Sequence, residues 1–437
     1  MSLLAHGTGG STDLPIPYTY ALIGAAWALT LTFALVALGW RKPRFDPTKP
    51  GLALPRWTTA VVDARATRAV VALLGLAFTA WVLLAAIGGP QNNENPLPGT
   101  FYVLLWVGLP TASVLLGPVW RVISPLRTVS RLIPPRAKAI EYPSNWGYWP
   151  AALGLFAFVW LELASPNSAS LTAIKLWLLL YTVIMLCGAG FFGRRWFTRG
   201  DPFEVYSLVA SRLSPLRRGR RDRLIVVGNP LDHLPSLPVL PGTVAVLALL
   251  LGSTAFDSFS AMPKWRTIVD ATSAMPGGAT LTRTAGLLGF ALIVGISFWL
   301  AARATGGVDR DARRKLPGLL AHSLVPIVLG YVFAHYLSYL VERGQQTVIR
   351  LSDPLDRGWN LLGLGHADVS YVLSMHPGVL ATIKVACVVA GHMAGVVAAH
   401  DAALRLLPKG HQLTGQLAMM LVMVGYTFTG LYLLFGG

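Results

Sequence analysis

Charged side chains are scarce in this chain of 437 residues, in which Asp, Glu, Lys and Arg make up 13% of the sequence and hydrophobic residues 54%. A soluble globular protein carries about 25% charged residues, so the composition excludes an ordinary soluble enzyme. Only two cysteines, Cys187 and Cys387, are present, and both lie within apolar runs. This scarcity excludes a disulfide-stabilised fold and predicts two buried free thiols.

The sequence motifs of many soluble enzymes are missing as well. The chain has no GxxxxGK[ST] phosphate-binding loop, no HExxH or CxxC motif, and no GxSxG nucleophile turn. Those motifs position nucleotide phosphates, metal ions, thiol pairs and activated serines. Their absence argues against an ATP-driven pump and against a standard serine hydrolase.

Long apolar runs are the dominant feature of the sequence. A run of about 18 or more apolar residues can cross a bilayer as a helix. Ten such runs occur, at 18–40, 69–89, 101–119, 148–165, 171–193, 243–261, 284–303, 318–341, 377–399 and 413–435. A membrane β-barrel shows short alternating segments instead. We therefore predict an all-α, polytopic transmembrane helix bundle that forms a single integral membrane domain over residues 1–437.

Basic residues are concentrated in alternate loops. Of the 36 Lys and Arg residues, 28 lie in 41–66, 121–138, 194–223 and 303–315 or at Arg68, Arg405 and Lys409. The positive-inside rule makes these loops cytoplasmic and places both termini outside. The net charge of +17 is thus a topology signal, and the expected partner is the lipid bilayer, not nucleic acid. No cleavable signal peptide is visible, and a bacterial plasma membrane is the expected location.

Two long loops stand out. The basic cytoplasmic loop 194–242 contains an amphipathic segment, 201–214, that predicts a helix lying on the membrane surface. The second loop, 342–376, is on the outer side.

Helix starts are predicted wherever a capping side chain precedes a proline. Such pairs are Ser124-Pro125, Asp201-Pro202, Asn229-Pro230 and Asp353-Pro354.

Ionisable residues inside the spans mark a candidate site, because charge is costly in lipid. Five of them, from five spans, lie about 5–10 Å from the outer end at about 1.5 Å per residue. They are Glu162, Asp257, Lys175, His335 and Lys384. One interpretation is a divalent metal held by His335, Asp257 and Glu162, with Lys175 or Lys384 stabilising an anionic centre. The alternative is paired or interfacial charges that only fix helix packing.

His392 suggests a second possibility, haem ligation together with His335. The two histidines differ in depth by about 13 Å, which is too far for one iron. Gly391 and Gly395 flank His392 at a spacing typical of close helix crossings. We therefore expect His392 to be hydrogen-bonded at such a crossing.

Three segments carry a family resemblance: AHGTGGSTDLPIP at 5–17, AHYLSYLVERGQ at 334–345 and LSDPLDRGWNLLG at 351–363. They resemble bacterial integral membrane proteins, common in actinobacteria, that are described as fenitrothion hydrolase-like. The resemblance implies phosphotriester hydrolysis by a membrane-bound enzyme, which acts either alone or together with a second subunit. It identifies no active-site residues.

The leading hypothesis is a membrane-embedded hydrolase, metal-dependent or the membrane subunit of such an enzyme, with an outward-facing polar site. Two alternatives stay open. One is a transporter of a small metabolite or metal ion, and the other is a scaffold that anchors an extracytoplasmic partner. The shallow depth of the polar layer favours the hydrolase, since transporter sites usually lie near the midplane.

Overall fold

The computed structural model describes residue 14 and residues 17–131, 140–220 and 222–435. His6 and most of the segment 5–17 lie outside the described residues. The described chain is about 72% helical with almost no strand, which confirms the all-α helical bundle. The positions of the termini relative to the membrane stay a prediction.

Twenty α-helices follow one another within the described residues. They are α1 (Tyr18–Gly39), α2 (Arg56–Asp63), α3 (Arg65–Gly88), α4 (Leu97–Gly99), α5 (Leu109–Leu116), α6 (Trp120–Ile123), α7 (Pro125–Ser130), α8 (Trp149–Leu163), α9 (Leu171–Phe192), α10 (Arg194–Gly200), α11 (Pro202–Ala210), α12 (Pro230–His233), α13 (Thr243–Ser260), α14 (Pro263–Thr272), α15 (Gly278–Arg303), α16 (Arg310–Leu320), α17 (Leu324–Ser338), α18 (Gly344–Leu351), α19 (Pro377–Leu406) and α20 (Leu417–Phe435).

Shorter elements connect them. Two π-helices span Thr100–Gly108 and Tyr339–Arg343, and one-turn 3₁₀ helices span Ser211–Leu213, Leu234–Ser236, Ala321–Ser323, Lys409–His411 and Thr414–Gln416. Three short strands, β1 (Leu52–Ala53), β2 (Leu216–Arg218) and β3 (Ile225–Val227), form an antiparallel sheet in the order β1-β3-β2.

Nine helices within the described residues are long and apolar enough to cross a membrane. The predicted fourth span is the exception, because α8 has 15 residues and a length of about 22 Å. That is less than the hydrocarbon thickness of about 30 Å. The predicted eighth span is part of a longer helical run of 42 residues, Arg310–Leu351. The chain is a multi-pass membrane protein whose apolar helices suggest contact with lipid.

Several local predictions can be compared with the structure. Helices begin at Pro125, Pro202 and Pro230 as expected, whereas Pro354 lies in a turn. The amphipathic helix expected on the membrane surface is present as α11, but all nine of its residues are buried. The loop 342–376, predicted to be on the outer side, begins with helical structure that extends to Leu351.

Both cysteines are free, as expected, but they are less buried than predicted. Cys187 in α9 is exposed and Cys387 in α19 is partly exposed. An apolar run in a membrane helix includes positions that face lipid, so hydrophobicity alone does not show which residues are packed inside.

The chain divides into two compact units, whereas the sequence was interpreted as one domain. Unit 1 comprises Met1–Lys49, Pro230–Leu337 and Leu373–Gly437, and unit 2 comprises Pro50–Asn229 and Ser338–Val372. Each unit consists of segments that are not consecutive in the sequence, so no single change in composition marks a boundary between the units. The sequence therefore did not indicate the division.

Close helix crossings organise unit 1. At Gly252 of α13, an added Cβ would lie 2.6 Å from the Cα of Ala291 in α15. At Gly391 of α19, a Cβ would lie 2.6 Å from the carbonyl oxygen of Pro326 and 3.1 Å from the Cα of Gly330, both in α17. Small residues let backbones approach in this way, and van der Waals packing then holds the helices together.

In unit 2, the π-helices Thr100–Gly108 and Tyr339–Arg343 contact one another. π-helical segments are rare in proteins, and those that occur are often found at functional sites. Tyr102 in the first of them donates a hydrogen bond to the carbonyl of Ser168 at 2.9 Å. Glu162 and Tyr339 lie close enough to Tyr102 to interact with it electrostatically. Unit 2 thus contains its own buried polar group next to a π-helix.

Candidate functional site

A buried polar network joins α13 and α17 inside unit 1. The imidazole of His335 lies between two side chains of α13, with Nδ1 at 3.0 Å from Ser258 Oγ and Nε2 at 2.9 Å from Asp257 Oδ2. Two tyrosines of α17 complete the network. The Tyr336 hydroxyl donates to Asp257 Oδ2 at 2.8 Å, and that of Tyr331 donates to Ser258 Oγ at 3.1 Å. We call these five side chains the Asp257–His335–Ser258 network.

The surrounding sequence explains why this network is buried. Helix α13 is apolar around most of its circumference, and such a helix is buried on all sides. His335 and Ser258 have relative exposures of 0% and Asp257 of 5%. Tyr331 and His335 are four residues apart, so both side chains lie on the same face of α17. That face meets consecutive residues of α13.

Hydrogen-bond chemistry assigns the protons of the network. A carboxylate can only accept, so Nε2 of His335 carries the proton that faces Asp257. Nδ1 of the neutral imidazole then accepts from the hydroxyl of Ser258. Asp257 fixes the tautomer and orientation of the ring, as the acidic residue does in hydrolytic triads. The arrangement can move a proton from Ser258 to His335 while Asp257 stabilises the resulting imidazolium.

This geometry leaves the predicted metal site without support. A metal ligand needs a free ring nitrogen, whereas both nitrogens of His335 are occupied by hydrogen bonds. Among the described residues, no group of three or more His, Cys, Asp or Glu side chains is placed to hold a metal ion. Asp257 and His335, two of the three proposed ligands, are nevertheless direct partners.

The other predicted site residues are distributed between the units. Glu162 in α8 and Lys175 in α9 belong to unit 2, and the Lys175 ammonium donates to Gln91 Oε1 at 2.7 Å. Lys384 in α19 belongs to unit 1 and is almost fully buried. The roles assigned to both lysines from the sequence stay predictions.

Sequence reasoning missed Ser258, Tyr331 and Tyr336. The available signal was weak: a serine directly after Asp257 and a tyrosine one turn before His335. In the sequence, His335, Tyr339 and Glu342 also fall at the spacing of one α-helical face. The chain becomes a π-helix at Tyr339, however, and its wider turns end the regular α-helical spacing.

His392 behaves as the small-residue pattern predicts. Its Nδ1 lies 2.8 Å from the carbonyl oxygen of Val388, one turn earlier in α19. The neighbouring Gly391 forms the close crossing with α17. Both observations favour the structural role that the sequence indicates for His392.

A second polar cluster lies at the start of α11 in unit 2. Asp201 caps this helix by accepting from the backbone NH groups of Phe203 and Glu204, at 3.0 and 3.4 Å. Its carboxylate also accepts from Trp120 Nε1 at 2.9 Å and from the Tyr181 hydroxyl at 3.0 Å. The capping pair predicted from the sequence is thus also a buried junction between helices.

Glu204 connects this cluster to two arginines. Its carboxylate accepts from Arg121 Nε at 3.2 Å and from Arg127. Burial raises the pKa of Glu204 to about 7, while Arg127 and Arg121 act in the opposite direction. Burial also raises the pKa of Asp201, against the hydrogen bonds from Trp120 and Tyr181. Near neutral pH, Glu204 therefore neutralises only part of the arginine charge.

Comparison with known proteins gives no relative. No family model matches the chain, and no curated protein or solved structure does so either.

Proposed function

We propose that this chain is a membrane-embedded hydrolase in which Ser258 is the nucleophile, His335 its general base and Asp257 the residue that orients the base. The contact of one imidazole with both a hydroxyl and a carboxylate carries the proposal. Either ring nitrogen can act as the base provided that the other is protonated and held. The resemblance of 334–345 to fenitrothion hydrolase-like proteins adds support, since this segment contains His335.

The expected substrates are esters with a good leaving group, phosphotriesters above all. Ser258 Oγ attacks phosphorus, its proton passes to His335 Nδ1, and a P–O bond forms as the bond to the leaving group breaks. The leaving oxygen takes the proton from His335. Water then attacks the phosphorylated serine with His335 again as base, which releases the product and restores the hydroxyl.

The network lies close to the predicted outer end of α13. Ser258 lies two residues before the end of α13 at Ser260, about 3 Å along the helix axis. On the topology predicted from the basic loops, this end of α13 faces outward. Because Ser258 is fully buried, the substrate reaches it only when the surrounding side chains move, and slow reaction with a small reagent is expected.

A fluorophosphonate reagent tests the nucleophile directly. The purified protein in detergent is incubated with a small alkyl fluorophosphonate, and the modified residue is located by mass spectrometry. We expect modification at Ser258, loss of it in Ser258→Ala and a strong reduction in His335→Ala. Ser253→Ala is the matched control, because Ser253 lies in the same helix but outside the network, where its hydroxyl donates to the carbonyl of Leu250. An unmodified wild-type protein, or equal modification of Ser258→Ala, would refute the proposal.

Proton-coupled transport of a small solute is the second candidate. The complete burial of an Asp–His pair favours it, because such pairs relay protons in transporters. The protein reconstituted into vesicles containing a pH-sensitive dye would then take up protons when a solute gradient is imposed, and Asp257→Asn would stop the uptake. Two expectations from the sequence and its family resemblance stay predictions: location in a bacterial plasma membrane and association with a second subunit.

A further inference from the structure

An apolar cavity of about 490 Å³ lies within unit 2, between α3, the π-helix that leads into α5, and α9. Its walls include Leu76, Phe78 and Leu83 of α3, Leu105 and Ala112 from the second side, and Leu178 of α9. Cavities of 300–1,000 Å³ are the size that holds small-molecule ligands. We call this cavity the apolar groove.

The apolar groove opens toward the surface of the helices. Phe78 and Leu83, which line it, are 45% and 44% exposed. Apolar side chains at the surface of a membrane helix face hydrocarbon, so the groove is continuous with lipid. An empty apolar cavity forfeits dispersion contacts along its whole lining, and an acyl chain restores them.

One end of the apolar groove carries positive charge. Helices α6 and α7 close this end through Trp120, Leu126 and Val129. The same segment bears Arg121, Arg127 and the exposed Arg131. Glu204 is the acid that pairs with Arg121 and Arg127. Asp201 is a second buried carboxylate near Arg127. The three arginines outnumber these two carboxylates, which leaves a basic surface where the groove ends.

Gly75 fixes the junction between the apolar wall and the basic end. A Cβ at Gly75 in α3 would lie 2.3 Å from the carbonyl oxygen of Ile123 in α6. Helix α3 and the arginine-bearing segment are therefore in backbone contact, and Gly75 and Ile123 both line the groove. Apolar wall and positive charge belong to one site.

We propose that the apolar groove binds an acyl chain of an anionic phospholipid, whose phosphate contacts Arg121 and Arg131 at the basic end. An acyl chain matches the wall, and a negatively charged headgroup matches the arginines. Basic residues next to a membrane attract anionic lipids by about 1 kcal/mol each, or about fivefold in affinity. The proposal does not depend on the hydrolase function.

Photocrosslinking of the full-length protein in mixed micelles tests this site. The probe is phosphatidylglycerol with a diazirine in one acyl chain, and crosslinked peptides are identified by mass spectrometry. We expect crosslinks on α3, α5 and α9, and we expect unlabelled phosphatidylglycerol to compete at least tenfold better than phosphatidylcholine. Equal competition by the two lipids would overturn the proposal.

Two pairs of variants separate the acyl chain from the headgroup. Ala112→Phe fills the groove and should reduce crosslinking severalfold, while Leu115→Phe, on the same helix but outside the lining, should not. The double variant Arg121→Gln/Arg131→Gln should abolish the preference for phosphatidylglycerol. Arg195→Gln, which removes another exposed arginine of unit 2, should preserve it. Undiminished crosslinking in Ala112→Phe would also contradict the proposal.

Discussion

The hydrogen bonds of the Asp257–His335–Ser258 network predict that a second substitution restores part of the stability that a first substitution removes. One oxygen, Oδ2 of Asp257, accepts from both His335 Nε2 and the Tyr336 hydroxyl. Asp257→Ala leaves both donors buried without this acceptor, at a cost of about 1–3 kcal/mol each. Interhelical hydrogen bonds in membranes average about 0.6 kcal/mol, which gives about 1.2 kcal/mol for the two bonds, so a total loss between about 1 and 6 kcal/mol is expected.

Tyr336→Phe should then act in opposite directions in the two backgrounds. In the wild type it removes a bond to a carboxylate and should destabilise the protein by about 1–2 kcal/mol. In Asp257→Ala it removes a hydroxyl that has lost its acceptor Asp257 Oδ2, and it should raise stability by about 1 kcal/mol. The cavity left by alanine is present on both sides of this comparison and cancels from the coupling energy.

Reversible unfolding by SDS titration in mixed micelles measures these free energies. Tyr426→Phe is the control, because the Tyr426 hydroxyl bonds to the carbonyl of Val294 at 2.8 Å, outside the network. It should destabilise the wild type and Asp257→Ala equally. If Tyr336→Phe also destabilises both backgrounds equally, the shared-acceptor reasoning is refuted.

Three further predictions concern other parts of the chain. Because burial raises the pKa of Glu204 from 4.5 to about 7, the folded state binds its proton more tightly than the unfolded state. The unfolding free energy of the wild type, relative to that of Glu204→Gln, should therefore fall as pH rises from about 5 to 7 and level off above that. Unfolding measured at several pH values tests this. Gly391→Ala should lose about 1–3 kcal/mol of unfolding free energy, because the added Cβ meets backbone of α17, and a small effect would contradict the crossing. Cysteines placed in 92–97 or 365–370 should react with an impermeant thiol reagent on intact cells and those in 216–221 should not, and the opposite pattern would invert the predicted topology.

The sequence was enough to select two residues of the site, Asp257 and His335, but it did not show the chemistry in which they take part. The cost of charge in lipid was enough to single out Asp257 and His335 from many polar residues, and they are direct partners. A serine or tyrosine in an apolar helix carries little such cost, so only their nearness to Asp257 and His335 in the sequence distinguished Ser258 and Tyr331 from other hydroxyl residues. The third proposed ligand, Glu162, lies in the other compact unit.

Hydropathy and charge act over a single helix length, and they alone determined the all-α membrane fold and nine of the ten predicted spans. The helix starts at Pro125 and Pro202 followed from the residue just before each proline, again a local effect. The tertiary structure decided what depends on distant residues: the division into two units, the burial of α11, and the contact of His335 with residues 77 and 78 positions earlier in the chain. Apolar side chains insert a helix into the membrane whichever way it is rotated. Which polar groups then meet is set by close packing between helices, at glycines such as Gly252 and Gly391.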